Sequence, residues 1–170
     1  MKKMMRNMRF VAIVALLVAM SSCSADSAEG SENPTTAEAV VANYNYNDSE
    51  IESMKLINDY RVSIGLNTLK GINHVSFKCE EHNKYMIANN VVDHNDFTSR
   101  SNNIMSVLGA KKVGENVAYN YKTSEAALRA WLDSPGHKAN IEGDYTHFGL
   151  SVSIDPKSGK KYYTNIFVKM

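Results

Sequence analysis

The chain has 170 residues, 44% hydrophobic and 22% charged, with a formal net charge of +1; this suits one globular domain with appendages and excludes a disordered or fibrous chain. Lys2, Lys3, Arg6 and Arg9 all fall in the first ten residues. The rest is therefore net negative and lacks the basic footprint of a nucleic-acid-binding protein.

Residues 1–23 read as an export signal. The basic start is followed by the apolar run Phe10–Met20, FVAIVALLVAM, which suits a signal core and is short for a membrane span. Ser21 and Ser22 then precede Cys23, in the manner of a bacterial lipoprotein signal whose cysteine is lipidated and becomes the new N-terminus. Met20 stands where leucine is more usual in such signals. Ordinary secretory cleavage nearby, with Cys23 incidental, is the alternative. With Cys23 acylated, Cys79 has no partner in the chain, and the exported domain must rely on its core rather than on a disulfide. Residues 24–48, rich in Ser, Ala, Asn and acids, read as a flexible tether; a segment that packs on the domain is the other reading. The domain itself is expected over 49–170.

A first helix is expected from Ser49, where Ser49 and Glu52 have capping-box spacing. Ile51, Met54, Ile57 and Val62, with Leu56 and Tyr60, would form its apolar face, and Gly65 its stop. Asn58 and Arg61 are expected to tie this helix to neighbouring loops. A second helix over His74–Asn90 places Val75, Cys79, His82 and Met86 on one face. Cys79 is then a core residue rather than a nucleophile, and His82 a hydrogen-bonded histidine at the core edge. His94 follows on a loop. Thr98 would cap a short helix over Ser99–Leu108, ended by Gly109. Val113, Val117, Ala118 and Tyr119 suggest an extended segment around Glu115, and Thr123 or Ser124 starts a fourth helix with Ala127, Leu128, Trp131 and Leu132 inward. Trp131 reads as core. Ser134-Pro135-Gly136-His137 is a further helix start, with Pro135 at the first position and His137 in the first turn, where the helix dipole disfavours imidazolium.

The C-terminal third alternates with a period of two. Phe148, Leu150, Val152 and Ile154 face one way and Gly149, Ser151 and Ser153 the other. Asp155–Lys160 is a turn. Lys161–Lys169 returns as a strand that is apolar on parts of both faces, as a central strand would be. Pattern alone gives an α+β chain: four helices, the extra helix start, an antiparallel hairpin and a strand near Glu115. No repeat, P-loop or Rossmann fingerprint is present.

GENVA, a following Trp, SPGHKANI, FGLSV and YYTNIF, together with NDYRVSIGLNTLK and VVDH, resemble in that order the bacterial branch of the CAP superfamily (cysteine-rich secretory, antigen 5 and pathogenesis-related 1 proteins; SCP domains). The resemblance spans about residues 50–170. It implies an α-β-α three-layer sandwich around a small antiparallel sheet. It also implies a cleft bearing His94, Glu115 and His137, with Arg100 near the first histidine. The family's second acid would be Asp133, but the segment WLDSPGH is short and its register is open. Several relatives bind a divalent metal there, so His94, His137 and Glu115 become candidate ligands for zinc, or for calcium or magnesium. Two imidazoles and a carboxylate suit zinc with an open position; a hydrogen-bonded cluster that stiffens the cleft is the competing reading, with no metal.

Three functions follow from the resemblance. A non-catalytic extracellular binding module on a lipid anchor needs only cleft and tether. A metal-dependent hydrolase would use Glu115 as base to a metal-bound water, but no nucleophile motif accompanies it, and His147 and Ser151 form no triad pattern. A sterol or acyl-lipid carrier is the third. The expected protein is a monomer held to a bacterial membrane, at the outer membrane or cell surface, or otherwise secreted, with an extracellular ligand and no nucleic acid.

Overall fold

The structure, a computed structural model, describes residues 39–170. The signal segment 1–23, Cys23 and the tether up to residue 38 lie outside the described residues. Helix α1 (Asp48–Ser63) is followed by β1 (Lys70–Gly71), α2 (Asn73–Asn89), α3 (Phe97–Leu108), β2 (Lys112–Tyr119), α4 (Ser124–Asp133), α5 (Pro135–Ile141), β3 (His147–Ile154) and β4 (Lys161–Lys169). The sheet order is β1-β3-β4-β2. The three long strands are antiparallel, and β4 is central, as its two apolar faces required. The two-residue β1 adds a parallel edge to β3, a pairing too short to leave a periodic signal in the sequence.

Alternation along β3 and β4 divides the core into two layers. Phe148, Leu150, Val152, Tyr163 and Phe167 pack with Ile57 of α1, Trp131 of α4 and Ile141 of α5. Ile166 and Val168 turn the other way, onto Val75 and Cys79 of α2 and Ile104 of α3. Helices therefore cover both sheet faces, and this is the three-layer α-β-α arrangement. Backbone approach is closest at Gly149, where a Cβ would lie 2.4 Å from the Ser76 nitrogen of α2. Gly149, on the small-residue face of β3, lets a helix backbone rest on the strand. Cys79 is buried, its thiol 3.4 Å from the Gly149 carbonyl, and burial pushes its pKa well up, so it is a core residue and no nucleophile.

Helix α1 departs from the apolar-face expectation. Its buried residues are Glu50, Ser53, Ile57 and Arg61, whereas Ile51 and Val62 are exposed. The capping box is formed by Asn47 and Glu50, two residues before the Ser49–Glu52 pair. Glu50 decides this frame. One carboxylate oxygen accepts from the Asn47 N–H at 2.9 Å, and the other accepts from the Val152 N–H and the Ser151 hydroxyl of β3 at 2.9 and 3.0 Å. Arg61 donates to the main-chain oxygens of Asn67, Ile141 and Gly143, and Asn58 exchanges two hydrogen bonds with Leu69; both perform the tying role expected of them.

Residues 41–47, expected to belong to the tether, are bonded to the domain. The Val41 N–H donates to His74 Nδ1, the Ala42 carbonyl accepts from Asn73, and Tyr46 reaches Asn73 and Ser76. Tyr44 donates to Glu50. Residues 41–47 thus form a strap along α2 and the Glu50 network. Helix α3 also starts earlier than Thr98 suggested, because the chain turns at Asp96 with φ of +55° and enters the helix without a side-chain cap.

Candidate functional site

Helix α2 closes at Asn90 in a left-handed conformation, and the chain then crosses to α3 over the rim of β2. His82, on the inner face of α2, holds this crossing: its Nε2 lies 2.9 Å from the Asp93 carbonyl. The next residue is His94, whose side chain is 47% exposed while that of Glu115 is 1% exposed. His94 Nδ1 donates to Glu115 Oε1 at 2.8 Å. A carboxylate only accepts, so Nδ1 carries the hydrogen and the lone pair of a neutral ring lies on Nε2, away from Glu115.

Arg100, on the first turns of α3, supplies the counter-charge. Its Nε reaches Glu115 Oε2 at 3.0 Å, and a terminal nitrogen reaches both carboxylate oxygens at 2.9 and 2.8 Å. Another terminal nitrogen donates to the Asn95 carbonyl at 2.6 Å. This forked pairing fixes the carboxylate and, through it, the His94 ring. Sequence pattern fits Arg100 equally well to the surface; only the approach of α3 to β2 makes it the partner of Glu115.

His137 arrives from the other side on α5. Asn116 donates to the His137 carbonyl at 2.9 Å, and Asn140 donates to the Glu115 carbonyl at 3.1 Å and to Asn116 Oδ1 at 2.9 Å. Gly114 permits this closeness, since a Cβ there would lie 2.5 Å from the Tyr145 hydroxyl and 2.8 Å from Asn140 Oδ1. Burial, and then the charge of a protonated His94, hold the His137 imidazole below its ordinary pKa. Asn116 and Asn140 were missed in the sequence. Asn116 is a fully buried amide inside β2; the sequence shows it only as a polar residue in an extended segment.

The expected set is thus brought together in part. His94, Glu115 and Arg100 form one bonded cluster with His137 beside it. Asp133 lies exposed at the end of α4 and joins no hydrogen bond or ion pair of that cluster. Glu115 does not fit the role of metal ligand, because a guanidinium already occupies both its oxygens. Among the described residues, no three His, Cys, Asp or Glu side chains are grouped to hold a metal ion. His147 bonds the neighbouring Thr146 hydroxyl, and Ser151 is buried against Glu50, so neither enters the cleft chemistry.

Residues 54–168 match the Cysteine-rich secretory protein family, CAP. The chain belongs to the CAP family. It is 34% identical over 125 residues to the "Uncharacterized membrane protein YlbC" of Bacillus subtilis, a match covering 71% of this chain and 34% of that protein. The chain spans less than half the length of the curated relatives it matches. Among solved structures, an extracellular SCP-domain protein of Bacillus anthracis superposes with a TM-score of 0.63 at 26% identity, covering 72% of this CAP chain and 40% of that one. An outer surface protein of Borrelia burgdorferi does so with a TM-score of 0.65 at 18% identity, covering 76% and 98%; at that identity the likeness is one of fold.

Burial also lowers the pKa of His82. Below about pH 6.5 the unfolded chain takes up protons at residues 82 and 137 that the folded chain resists. Stability of this CAP domain should therefore fall as pH drops through that value, until the folded imidazoles themselves titrate. Thermal melts at pH 7.5 and pH 5.5 measure this. In a His82→Gln/His137→Gln double variant the fall over the same interval should shrink.

Proposed function

We propose that this CAP protein is an exported, lipid-anchored binding module that presents the His94–His137 cleft to an extracellular ligand and carries out no catalysis. The supporting observation is the saturation of Glu115 by Arg100 and His94. A general base needs an oxygen within reach of a reacting proton, and both oxygens of this carboxylate are already held. The cavity beside His94 is about 570 Å3 and is lined by Asp96, Phe97, Thr98, Ser99 and Asn102. Incubation with ester, amide and glycoside probes should give no turnover above that of a Glu115→Gln control. Turnover that vanishes in that control would restore the hydrolase.

Anchoring rests on the signal-like segment and Cys23, and export also on the description of the Bacillus anthracis SCP-domain protein as extracellular. Cys23→Ser should move the protein from the membrane to the soluble fraction. The mature N-terminus should be a cysteine with added acyl mass. A soluble mature chain beginning elsewhere overturns the anchor.

A metal is the second reading of the same cleft: His94 Nε2, turned away from Glu115, keeps its lone pair in the neutral ring, and His137 would be the other imidazole ligand. Bound zinc would stabilise the fold by about 2.7 kcal/mol at a hundredfold excess over Kd. The expected result is a zinc-dependent rise in melting temperature that His94→Ala or His137→Ala removes and that fades below about pH 6. No rise with zinc, calcium or magnesium leaves a metal-free cleft.

A further inference from the structure

One end of the sheet is basic. Lys70 opens β1, His147 opens β3, Lys169 closes β4 and Lys112 opens β2. Register sets these strand ends side by side: Lys70 pairs with His147, His147 with Val168, and Lys169 with Lys112. Lys111 joins them, its N–H donating to the Lys169 carbonyl at 2.7 Å. Neighbouring strands lie about 4.8 Å apart, so the four lysines spread over roughly 15 Å of the sheet end. Lys70, Lys111 and Lys112 are exposed, and the Lys169 side chain is 32% exposed. Asp144 answers one of the four charges, 2.6 Å from Lys169 Nζ, and nearby Glu142 is paired with Lys138. Positive charge remains in excess.

Two further observations concern the same end. Apolar side chains stand exposed beside the lysines: Met170 follows Lys169, and Ile64 closes α1. Helix α1 reaches this end because Arg61 holds the Gly143 carbonyl and Asn67 the Tyr145 carbonyl, just before β3. The chain also joins the domain here. Ala39 and Val40 are exposed, and the strap begins where Val41 and Ala42 bond His74 and Asn73, directly after β1. Lysines beside exposed apolar side chains match a phospholipid surface of negative charge, which attracts the cations and takes apolar groups into its interface.

We propose that this end of the domain docks on anionic phospholipid headgroups, with Ile64 and Met170 entering the interface. The orientation rests on the Cys23 anchor proposed above, whose connection enters the domain at this same end. The attraction to anionic lipid does not depend on it.

The test is sedimentation of the full Cys23→Ser chain with phosphatidylcholine vesicles, made with and without phosphatidylglycerol. The difference between the two vesicles reports the charged surface without the acyl group. Should the wild-type chain itself be soluble, the anchor reading fails and the same assay runs on the wild type, so the two failures stay distinct. Phosphatidylglycerol should bring the chain down, and salt should release it. A lysine near such a surface is worth about fivefold in binding, so Lys111→Glu, which changes the charge by two, should weaken it about 25-fold. Replacing all four lysines by glutamine should reduce binding to the phosphatidylcholine level. Lys157→Gln/Lys160→Gln, at the β3–β4 turn on the opposite end, should leave it unchanged. The emission of Ile64→Trp should shift to the blue on anionic vesicles, and that of Ile154→Trp, exposed beside the opposite turn, should not. The proposal fails if phosphatidylglycerol adds no binding, or if the Lys157/Lys160 variant loses as much as Lys111→Glu. It fails equally if Ile154→Trp shifts and Ile64→Trp does not.

Discussion

Trp131→Ala should lower stability by about 3–5 kcal/mol, the range for truncating a buried large aromatic. Trp131 is 2% exposed and is the side chain by which α4 docks on the sheet. Its ring meets Tyr163 edge-on with centroids 6.4 Å apart, and its Nε1–H donates to the Val117 carbonyl of β2 at 2.9 Å. Truncation leaves a void among Ile57, Ile141 and Phe167 and an unpaired carbonyl within it. The melting temperature should fall by roughly 10–20 °C for a domain of this size. Trp131→Phe, which keeps most of the apolar area and loses the hydrogen bond, should fall between that variant and the wild type. An unchanged melting temperature in Trp131→Ala would mean that the ring is exposed and free to serve as a ligand platform.

Arg100→Met should cost a similar amount, about 3–5 kcal/mol, for a different reason. The Glu115 side chain is 1% exposed and that of Arg100 is 11% exposed. Taking away the guanidinium leaves a carboxylate out of water with one histidine as partner, and an uncompensated buried charge is far more costly than an absent pair. The double variant Arg100→Met/Glu115→Gln should therefore be more stable than Arg100→Met alone, and the double-mutant cycle should give a coupling energy well above that of a surface pair. Additive effects would show that Glu115 is solvated and that Arg100 does not hold it. Because the pair also fixes the His94 ring, Arg100→Met should weaken any zinc response of the cleft even where the domain remains folded.

Elements with a strong local period were legible in the sequence. Val75, Cys79, His82 and Met86 lie on the buried face of α2, the alternation of β3 and β4 forms the hairpin, and Thr123 caps α4. Each of these is a short-range property: 3.6-residue or two-residue spacing sorts side chains by face before any tertiary contact exists. The order of GEN, SPGH and the C-terminal strands likewise carried the CAP family.

Other features depended on residues far apart in the chain. Glu50 selects Asn47 as cap because it bonds β3 at Val152, across 102 positions, and no local pattern contains that strand. The segment at 41–47 has the composition of a tether, yet Tyr44 and Tyr46 meet hydroxyl and carboxylate partners only after α1, α2 and β3 have assembled. Glu115 could be named as a site residue from its motif, but whether it is a free ligand or one half of an ion pair depends on where α3 places Arg100. Motif order in the sequence named His94, Glu115 and His137 as candidates. Their protonation, pairing and availability were decided by the tertiary structure, because burial and the placement of opposite charges are set by packing between elements that share no local period.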